Sequence, residues 1–333
     1  MNISEFSLAM LNKVNNLYLP RLIILDITHS CNLKCRICDI WKTGISEKDI
    51  DIYHVQRVLD QAKKLGINEI ALSGGEPLIR KDIYEIFDYA RNINIKNLGV
   101  LTNGIMIAEN INRLEPYILD NTISLVFSLD SLKADTHNYI RNYDNAWKKT
   151  VEGLGVLSCL KKSNSQVKFN VITIILNHNL EELADIAAFV ESLGADSLQF
   201  QALLPNNLRM NERKKSEFWV LKDRLNILDD SLSKLIELKK EKPDFIKNSI
   251  TNLLLMRDYY CNRLLPENAK CLSADRTILV ANDGKCRTCF SVYGSLKNTL
   301  LKDVLMSKEI IQARNQVKRC AWPCLLPCFC DDV

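Results

Sequence analysis

The chain has 333 residues, with 44 Lys and Arg against 40 Asp and Glu and a formal charge of +4. So small a surplus does not suit a protein whose main task is to neutralise a phosphate backbone, and no nucleic-acid partner is expected. A 47% hydrophobic and 25% charged composition is ordinary for a globular protein and excludes disorder as the dominant state. No run of about 18 apolar residues occurs, so no membrane span is expected. Met1–Pro20 lacks the pattern of a secretion signal, which points to a cytoplasmic location where thiols stay reduced. In that compartment the 12 cysteines read as metal-binding or catalytic, not as a disulfide framework.

Taken in order, short β-branched runs alternate with stretches of helical periodicity from Leu22 to Leu204. Strands are predicted at Leu22–Thr28, Glu69–Ser73, Asn97–Thr102, Ile123–Ser128, Val167–Leu176 and Ser197–Ala202. Helices are predicted between them at Glu47–Leu65, Lys81–Asn92, Ala108–Leu114, Asn145–Leu160 and Asn179–Leu193, with Gly66 and Gly194 placed as C-terminal caps. Crossover helices imply a parallel sheet, either open and doubly wound or a partial barrel. The apolar character of the strands suggests that both sheet faces are covered. In either architecture ligands bind at the carboxyl ends of the strands. From Asn206 to Asp258 the chain is highly charged, with a basic run at Arg213, Lys214 and Lys215 and an amphipathic stretch near Leu221–Leu238. Cys261–Val333 carries a predicted hairpin, Thr277–Val280 and Lys285–Phe290 about a turn at Asn282-Asp283-Gly284. The division expected is 1–205, a helical connection 206–260, and a cysteine-rich unit 261–333.

The first strand is followed by Cys31, Cys35 and Cys38 in C-x3-C-x2-C spacing. Three thiolates this close can hold one side of an iron–sulfur cluster, which normally takes four cysteines, and leave one iron for an exogenous ligand. A zinc site or three unlinked thiols are the plainer alternatives. The second strand is followed by Ser73-Gly74-Gly75-Glu76-Pro77. Its glycines permit close backbone approach, their N–H groups could receive a carboxylate, and an ionised Glu76 suits a ligand ammonium.

Together these two motifs resemble the radical S-adenosylmethionine (SAM) superfamily, over roughly residues 20–205. The resemblance implies a partial (β/α)6 TIM-type barrel, an α/β fold. It implies a [4Fe–4S] cluster on Cys31, Cys35 and Cys38, with SAM chelating the fourth iron. One electron then cleaves SAM to methionine and a 5′-deoxyadenosyl radical that abstracts hydrogen from a substrate. It further implies SAM contacts from Gly74, Gly75 and Glu76, from Ser128 (with Asp130 second) after the fourth strand, and from Arg141 as a guanidinium for the SAM carboxylate. The backbone of Ile37 would lie near the adenine, and Thr102-Asn103-Gly104 would border the pocket. His29 is as well explained by structure as by function. A flavodoxin- or ferredoxin-type electron donor is implied in the same way.

The remaining cysteines fall mostly at the end. Cys271-x12-Gly284-x4-Cys289 precedes Cys320-x3-Cys324-x3-Cys328-x-Cys330. This resembles the small cysteine-rich α+β extensions called SPASM and twitch, which hold auxiliary clusters. The compact tail resembles the shorter, one-cluster twitch form. The resemblance implies an auxiliary [4Fe–4S] cluster on Cys271, Cys289, Cys320 and Cys324, with Cys328 and Cys330 as alternative ligands and zinc as the non-redox alternative. Cys159, Cys261 and Cys286 are surplus. A surplus thiol near the site could donate hydrogen to a substrate radical, whereas Cys159 reads as a buried helix residue. The function expected is oxidation or modification of a small metabolite, with an auxiliary cluster accepting an electron or positioning substrate. Maturation of a ribosomally made peptide, by crosslinking or epimerisation, is the alternative, and a non-catalytic metal-binding scaffold the second.

Overall fold

The computed structural model describes residues 19–43, 49–204, 215–321 and 324–330. Six parallel strands, β1 (Leu22–Thr28), β2 (Glu69–Gly74), β3 (Leu98–Thr102), β4 (Ile123–Ser128), β5 (Phe169–Ile175) and β6 (Ser197–Ala202), lie side by side in chain order. A doubly wound sheet would reverse that order at a switch point, so the curved single-direction sheet is a partial barrel. Helices α1 (Ile52–Leu65), α2 (Ile83–Asn92), α3 (Ile107–Leu119), α4 (Ala134–Arg141), α5 (Ala146–Ser163) and α6 (Leu183–Ser192) occupy the crossovers.

The strands alternate more strictly than their composition suggests. Ile23, Leu25 and Ile27 of β1 are fully buried beside Val55, Val58 and Leu59 of α1 in one core. Their neighbours Leu22 and Ile24 instead line an interior cavity. The same holds on β6, where Leu198 and Phe200 are buried and Ser197, Gln199 and Gln201 line the cavity. The expectation of two covered faces is therefore corrected: the outer face packs on helices, and the inner face encloses a chamber.

Helix boundaries moved where side chains found better partners. α1 starts at Ile52, because the Asp51 carboxylate accepts the His54 N–H as an N-cap, and it ends at Gly66 in the left-handed region (φ 75°). The predicted start at Glu47 lies outside the described residues. α3 passes Pro116 and runs to Leu119, since burial of Tyr117 and Ile118 outweighs the lost hydrogen bond. Asn179 does not begin an α-helix. Its amide donates to Asp130 and Ile174 carbonyls and accepts from Leu176, so a 3-10 turn (Leu180–Glu182) precedes α6. The helix α4, which carries Arg141, had no predicted counterpart.

Beyond the barrel come α7 (Leu225–Glu241) and α8 (Ile250–Tyr260). Arg213 and Lys214 of the basic run lie outside the described residues. The segment between α7 and α8 covers the open edge of β6: Leu198 donates to Phe245 O (2.8 Å), Lys247 donates to Leu198 O (2.9 Å), and the Asn248 side chain pairs with Phe200 N and O. At the other edge, β7 (Thr277–Val280) pairs in parallel with β1, and β8 (Lys285–Arg287) and β9 (Val292–Ser295) continue antiparallel. The cysteine-rich hairpin thus extends the barrel sheet. Two short helices, α9 (Leu301–Leu305) and α10 (Lys308–Lys318), follow. Among the described residues no helix is long and apolar enough to cross a membrane.

Candidate active site

The loop after β1 folds back on itself so that its three thiols meet. Cys38 N donates to Cys35 O at 3.3 Å, and Arg36 N ties the loop to Ile140 O of α4 at 2.9 Å. Cys35 is buried, while Cys31 and Cys38 are half-buried. Burial raises all three thiols, Cys31 to about 11. Each also receives a donor that favours negative sulfur: Leu33 N–H for Cys31 (3.4 Å), the Arg141 guanidinium for Cys35, and Ile40 N–H for Cys38.

The glycine motif closes against this loop. Gly75 N donates to Thr28 O (2.7 Å) and Glu76 N to Ser30 O (2.9 Å). A Cβ on Gly74 (φ +118°) would lie 2.0 Å from Thr28 O, and one on Gly75 2.1 Å from Ser30 O. These glycines are needed because two chain segments touch. The expectation that the motif's N–H groups face a ligand carboxylate is corrected for Gly75 and Glu76, whose N–H groups are used inside the chain. The Glu76 side chain is buried, and its oxygens accept Leu78 N (3.3 Å) and Asn103 N (2.8 Å). Burial pushes its carboxyl up to about 7, against the hydrogen bonds from Asn103, Thr102 and Leu78 and the charge of Arg141.

Arg141 and Ser128 arrive from β4 and the helix behind it. Arg141 Nη2 lies 2.6 Å from Asp130 Oδ2, both residues being buried. Burial opposes the guanidinium charge, but Asp130 first and then Cys35 raise Arg141 above its ordinary value. Asp130 also accepts the Ile174 N–H (3.0 Å), so it positions Arg141 and does not reach the cavity. Asp130 N donates to His137 Nδ1 (3.3 Å), and burial holds that imidazole well below its ordinary value. Neither α4 nor the Asp130–Arg141 pair had a sequence signal, since a buried ion pair depends on tertiary placement.

A cavity of about 320 Å³ lies among these groups, lined by Cys31, Cys35, Ile37, Cys38, Gly74, Gly75, Asn103, Ser128 and Arg141. Of the residues predicted to hold the cluster and SAM, Cys31, Cys35, Ile37, Cys38, Gly74, Gly75, Ser128 and Arg141 line this cavity, whereas Glu76 and the second-choice Asp130 lie buried behind it. Trp41 lines it too, with its indole N–H on Cys35 O (3.4 Å), and no sequence signal marked it. Among the described residues Arg141 Nε, buried at this cavity, finds no hydrogen-bond partner. That donor, the three supported thiols and the adjacent carboxylate suit a thiolate-bound cluster and a zwitterionic amino acid. The residues present fit the cluster–SAM pair. Asp26, on the inward face of β1, bonds to Ser73, and burial raises its carboxyl, with His29 and Arg287 opposing.

The tail gathers a second set of thiols. Cys271 and Cys330 share a hydrogen bond, as do Cys330 and Cys324. Cys289 interacts with Cys324, Cys271 and Cys320, and Cys328 with Cys324 and Cys271. All four predicted ligands thus lie together, with Cys328 and Cys330 beside them. Bonding to Cys330 lowers Cys271, whereas bonding to Cys271 and Cys324 raises Cys330 strongly. Among the described residues no three His, Cys, Asp or Glu side chains close around a point suited to one metal ion.

Three cysteines stand apart. Cys286 is fully buried in the main core, and burial raises it to about 12. Cys261 is half-buried and accepts from Arg257 at 3.4 Å. Cys159 is exposed on α5, which corrects the expectation that its apolar neighbours bury it. Of its apolar neighbours only Leu157 is fully buried, Val156 and Leu160 being partly buried, and Cys159 takes the exposed side of the helix.

Comparison with known proteins gives the same picture. The sequence profile described as the Radical SAM superfamily matches residues 25–190. A "Probable GTP 3′,8-cyclase" of Sulfurisphaera tokodaii is 25% identical over 301 residues, 89% of this chain and 88% of that protein. An "AdoMet-dependent heme synthase" of Methanosarcina barkeri is 28% identical over 187 residues, but only 51% of its length is spanned. Among solved structures, anSMEcpe with bound AdoMet aligns with a TM-score of 0.66 at 18% identity, covering 94% of this chain and 89% of that one. Streptococcus suis SuiB bound to precursor peptide SuiA aligns with 0.68 at 14%, covering 96% and 75%. At such identities these structures speak to fold alone.

Proposed function

The chain belongs to the radical SAM superfamily, an enzyme family that uses a [4Fe–4S] cluster and SAM, and from that premise we propose that it oxidises or otherwise modifies a small metabolite held inside the barrel. The observation that carries this reading is a chamber of about 1010 Å³ in the barrel interior that shares Leu101 and Gln201 with the SAM cavity. A substrate there would lie against the site where the cluster and SAM, when bound, supply a 5′-deoxyadenosyl radical. Cys31, Cys35 and Cys38 would hold the cluster. Glu76 would take the SAM ammonium, Arg141 the carboxylate, and Ser128 the ribose. Asp130 keeps Arg141 in place, and the apolar wall around Leu33, Ile37 and Leu203 would exclude water from the reacting carbon.

We place an auxiliary [4Fe–4S] cluster on Cys271, Cys289, Cys320 and Cys324, with Cys328 or Cys330 able to replace one of the tail ligands. Leu326 lines the SAM cavity and Cys328 lines the chamber, so the tail would face the substrate. That position suits an electron acceptor or a substrate anchor. A small metabolite is favoured over a peptide because Ser249, Ile250 and Thr251 and the tail residues Pro327 and Cys328 narrow the chamber by adding to its lining. The GTP cyclase relative, which spans most of the chain, is by its name a small-molecule enzyme as well.

Anaerobic reconstitution, iron and sulfide quantification and a SAM-cleavage assay on one sample test this reading. About eight irons per chain with 5′-deoxyadenosine after dithionite are expected from two four-iron clusters. No 5′-deoxyadenosine from a fully loaded sample would remove the radical assignment, and zinc in place of the second set of irons would remove the auxiliary cluster.

A further inference from the structure

Helix α4 ends on Arg141, the residue that would receive the SAM carboxylate, so whatever holds that end sets the contact. Carbonyls in the last turn of a helix lack partners within it. Here one residue of the cluster loop serves two of them. Arg36 N donates to Ile140 O at 2.9 Å, and Arg36 Nε donates to Tyr139 O at 3.1 Å. The guanidinium also lies over the Tyr139 ring, 4.4 Å from its centroid. The Tyr139 hydroxyl in turn donates to Glu217 Oε2 at 2.8 Å. A cation at this position also suits the negative end of the helix dipole.

The same two stretches of chain are joined again from the inside. Arg36 follows Cys35, and the Arg141 guanidinium bonds to the Cys35 sulfur while its Nη2 holds Asp130 at 2.6 Å. Residues 35–36 and 139–141 are thus stitched by one backbone bond, one outer guanidinium and one inner guanidinium. The start of α4 is held elsewhere: the buried Glu182 carboxylate accepts Leu132 N (2.8 Å) and Lys133 N (3.3 Å). We propose that Arg36 is a positioning residue for SAM. By bonding the last carbonyls of α4 it fixes the Arg141 guanidinium relative to the three loop thiols, and so fixes the seat of the SAM carboxylate. Arg36 is exposed and lies outside the lining of the SAM cavity, so it acts through Arg141. A lysine would not replace it, because an ammonium lacks the planar fork that bonds a carbonyl along its edge while lying flat on a ring. This rests on Arg141 being the carboxylate contact, and it adds the residue that places that contact.

Calorimetric binding to the anaerobically reconstituted protein tests it, with SAM and decarboxylated SAM as probes. The second keeps the nucleoside, sulfonium and amine and lacks only the carboxylate. Arg36→Ala should keep the parent's iron content and weaken SAM about tenfold, the lower end of what loss of an outer partner costs a ligand site. Its affinity for decarboxylated SAM should stay within about twofold of the parent, as expected for an independent contact. Arg36→Lys should behave like Arg36→Ala, and Arg141→Gln should show the same selective loss more strongly. Equal weakening of both probes, full recovery of SAM affinity in Arg36→Lys, or loss of the loop irons from Arg36→Ala overturns the inference. In the last case Arg36 would build the cluster loop instead of placing Arg141. Parent-like SAM affinity in Arg36→Ala beside a selective loss in Arg141→Gln removes this inference alone. Parent-like affinity for both probes in Arg141→Gln removes the carboxylate contact on which it rests.

Discussion

The two cysteine-rich regions are built in opposite ways. Cys31, Cys35 and Cys38 come from one short loop, and that loop is pinned from outside by the Gly75 and Glu76 N–H groups, which donate to Thr28 O and Ser30 O, and by the Ile140 carbonyl, which accepts from Arg36 N. The tail set is drawn from three separate pieces, before β7, after β8 and from residues 320–330. The loop thiols accept from backbone N–H groups and Arg141, all of which favour the thiolate. In the tail, Cys271 and Cys330 bond to each other, so one is lowered while the other is raised. In the loop, donors from the surroundings work against a burial that raises all three thiols, whereas in the tail the thiols chiefly meet one another, and the auxiliary cluster proposed there would be what they hold in common. Loss of that shared ligand should therefore disturb the tail more than the loop.

The strongest way to break this comparison is to remove the loop thiols. Substitution of Cys31, Cys35 and Cys38 by Ala should abolish 5′-deoxyadenosine and leave about four irons per chain at the tail. Mössbauer integration with the cleavage assay reads both. A triple variant that still cleaved SAM at the parent rate would end the assignment of the loop.

The tail offers the reciprocal experiment. Cys271→Ala with Cys289→Ala should remove about four irons, yet keep uncoupled SAM cleavage within roughly threefold of the parent, as expected for sites with no shared ligands. Cleavage lost along with the tail irons would mean that the two regions are one functional unit. Thermal unfolding should show the tail destabilised while the barrel transition persists.

How much of this could be read from the chain follows the same divide. The gathering of Cys31, Cys35 and Cys38 on one cavity was legible because spacing along a contiguous loop fixes which thiols can come together. Cys271 and Cys289 were legible from the hairpin between them. The choice among Cys320, Cys324, Cys328 and Cys330 was not, since four closely spaced thiols all reach the same place. The parallel pairing of β7 with β1 joins residues some 250 positions apart, and local pattern holds no trace of it. Nor did it show the inner faces of β5 and β6. Asn170, Gln199 and Gln201 interrupt apolar runs in a way that reads as noise until the alternation places them all in one chamber.

Glu76 sharpens the comparison from the loop side. Its folded value of about 7 lies above the ordinary 4.5. Between those values the folded chain keeps a proton that the unfolded chain has released, so this group's contribution to stability falls as pH rises through the window. The full effect is on the order of 3–4 kcal/mol at most. Arg141 and Cys31 face the same carboxylate and share in its titration. Glu76→Gln should flatten the pH dependence of the urea midpoint of the SAM-free protein between pH 5 and 8, and should weaken SAM binding. Unchanged SAM affinity in this variant would remove the ammonium contact.

The smallest effects separate the surplus cysteines from both sets. Cys286 lies wholly in the core, so Cys286→Ser places a hydroxyl where an apolar thiol packed and should cost about 1–3 kcal/mol. Cys159 is exposed, and Cys159→Ser should stay within about 0.5 kcal/mol. Neither should change the iron content. Their contrast in urea midpoint, at constant iron, isolates packing from ligation. If Cys286→Ser instead lost iron, the boundary between the hairpin core and the tail centre would have to be redrawn to include it, and the six-thiol set would no longer explain the second site.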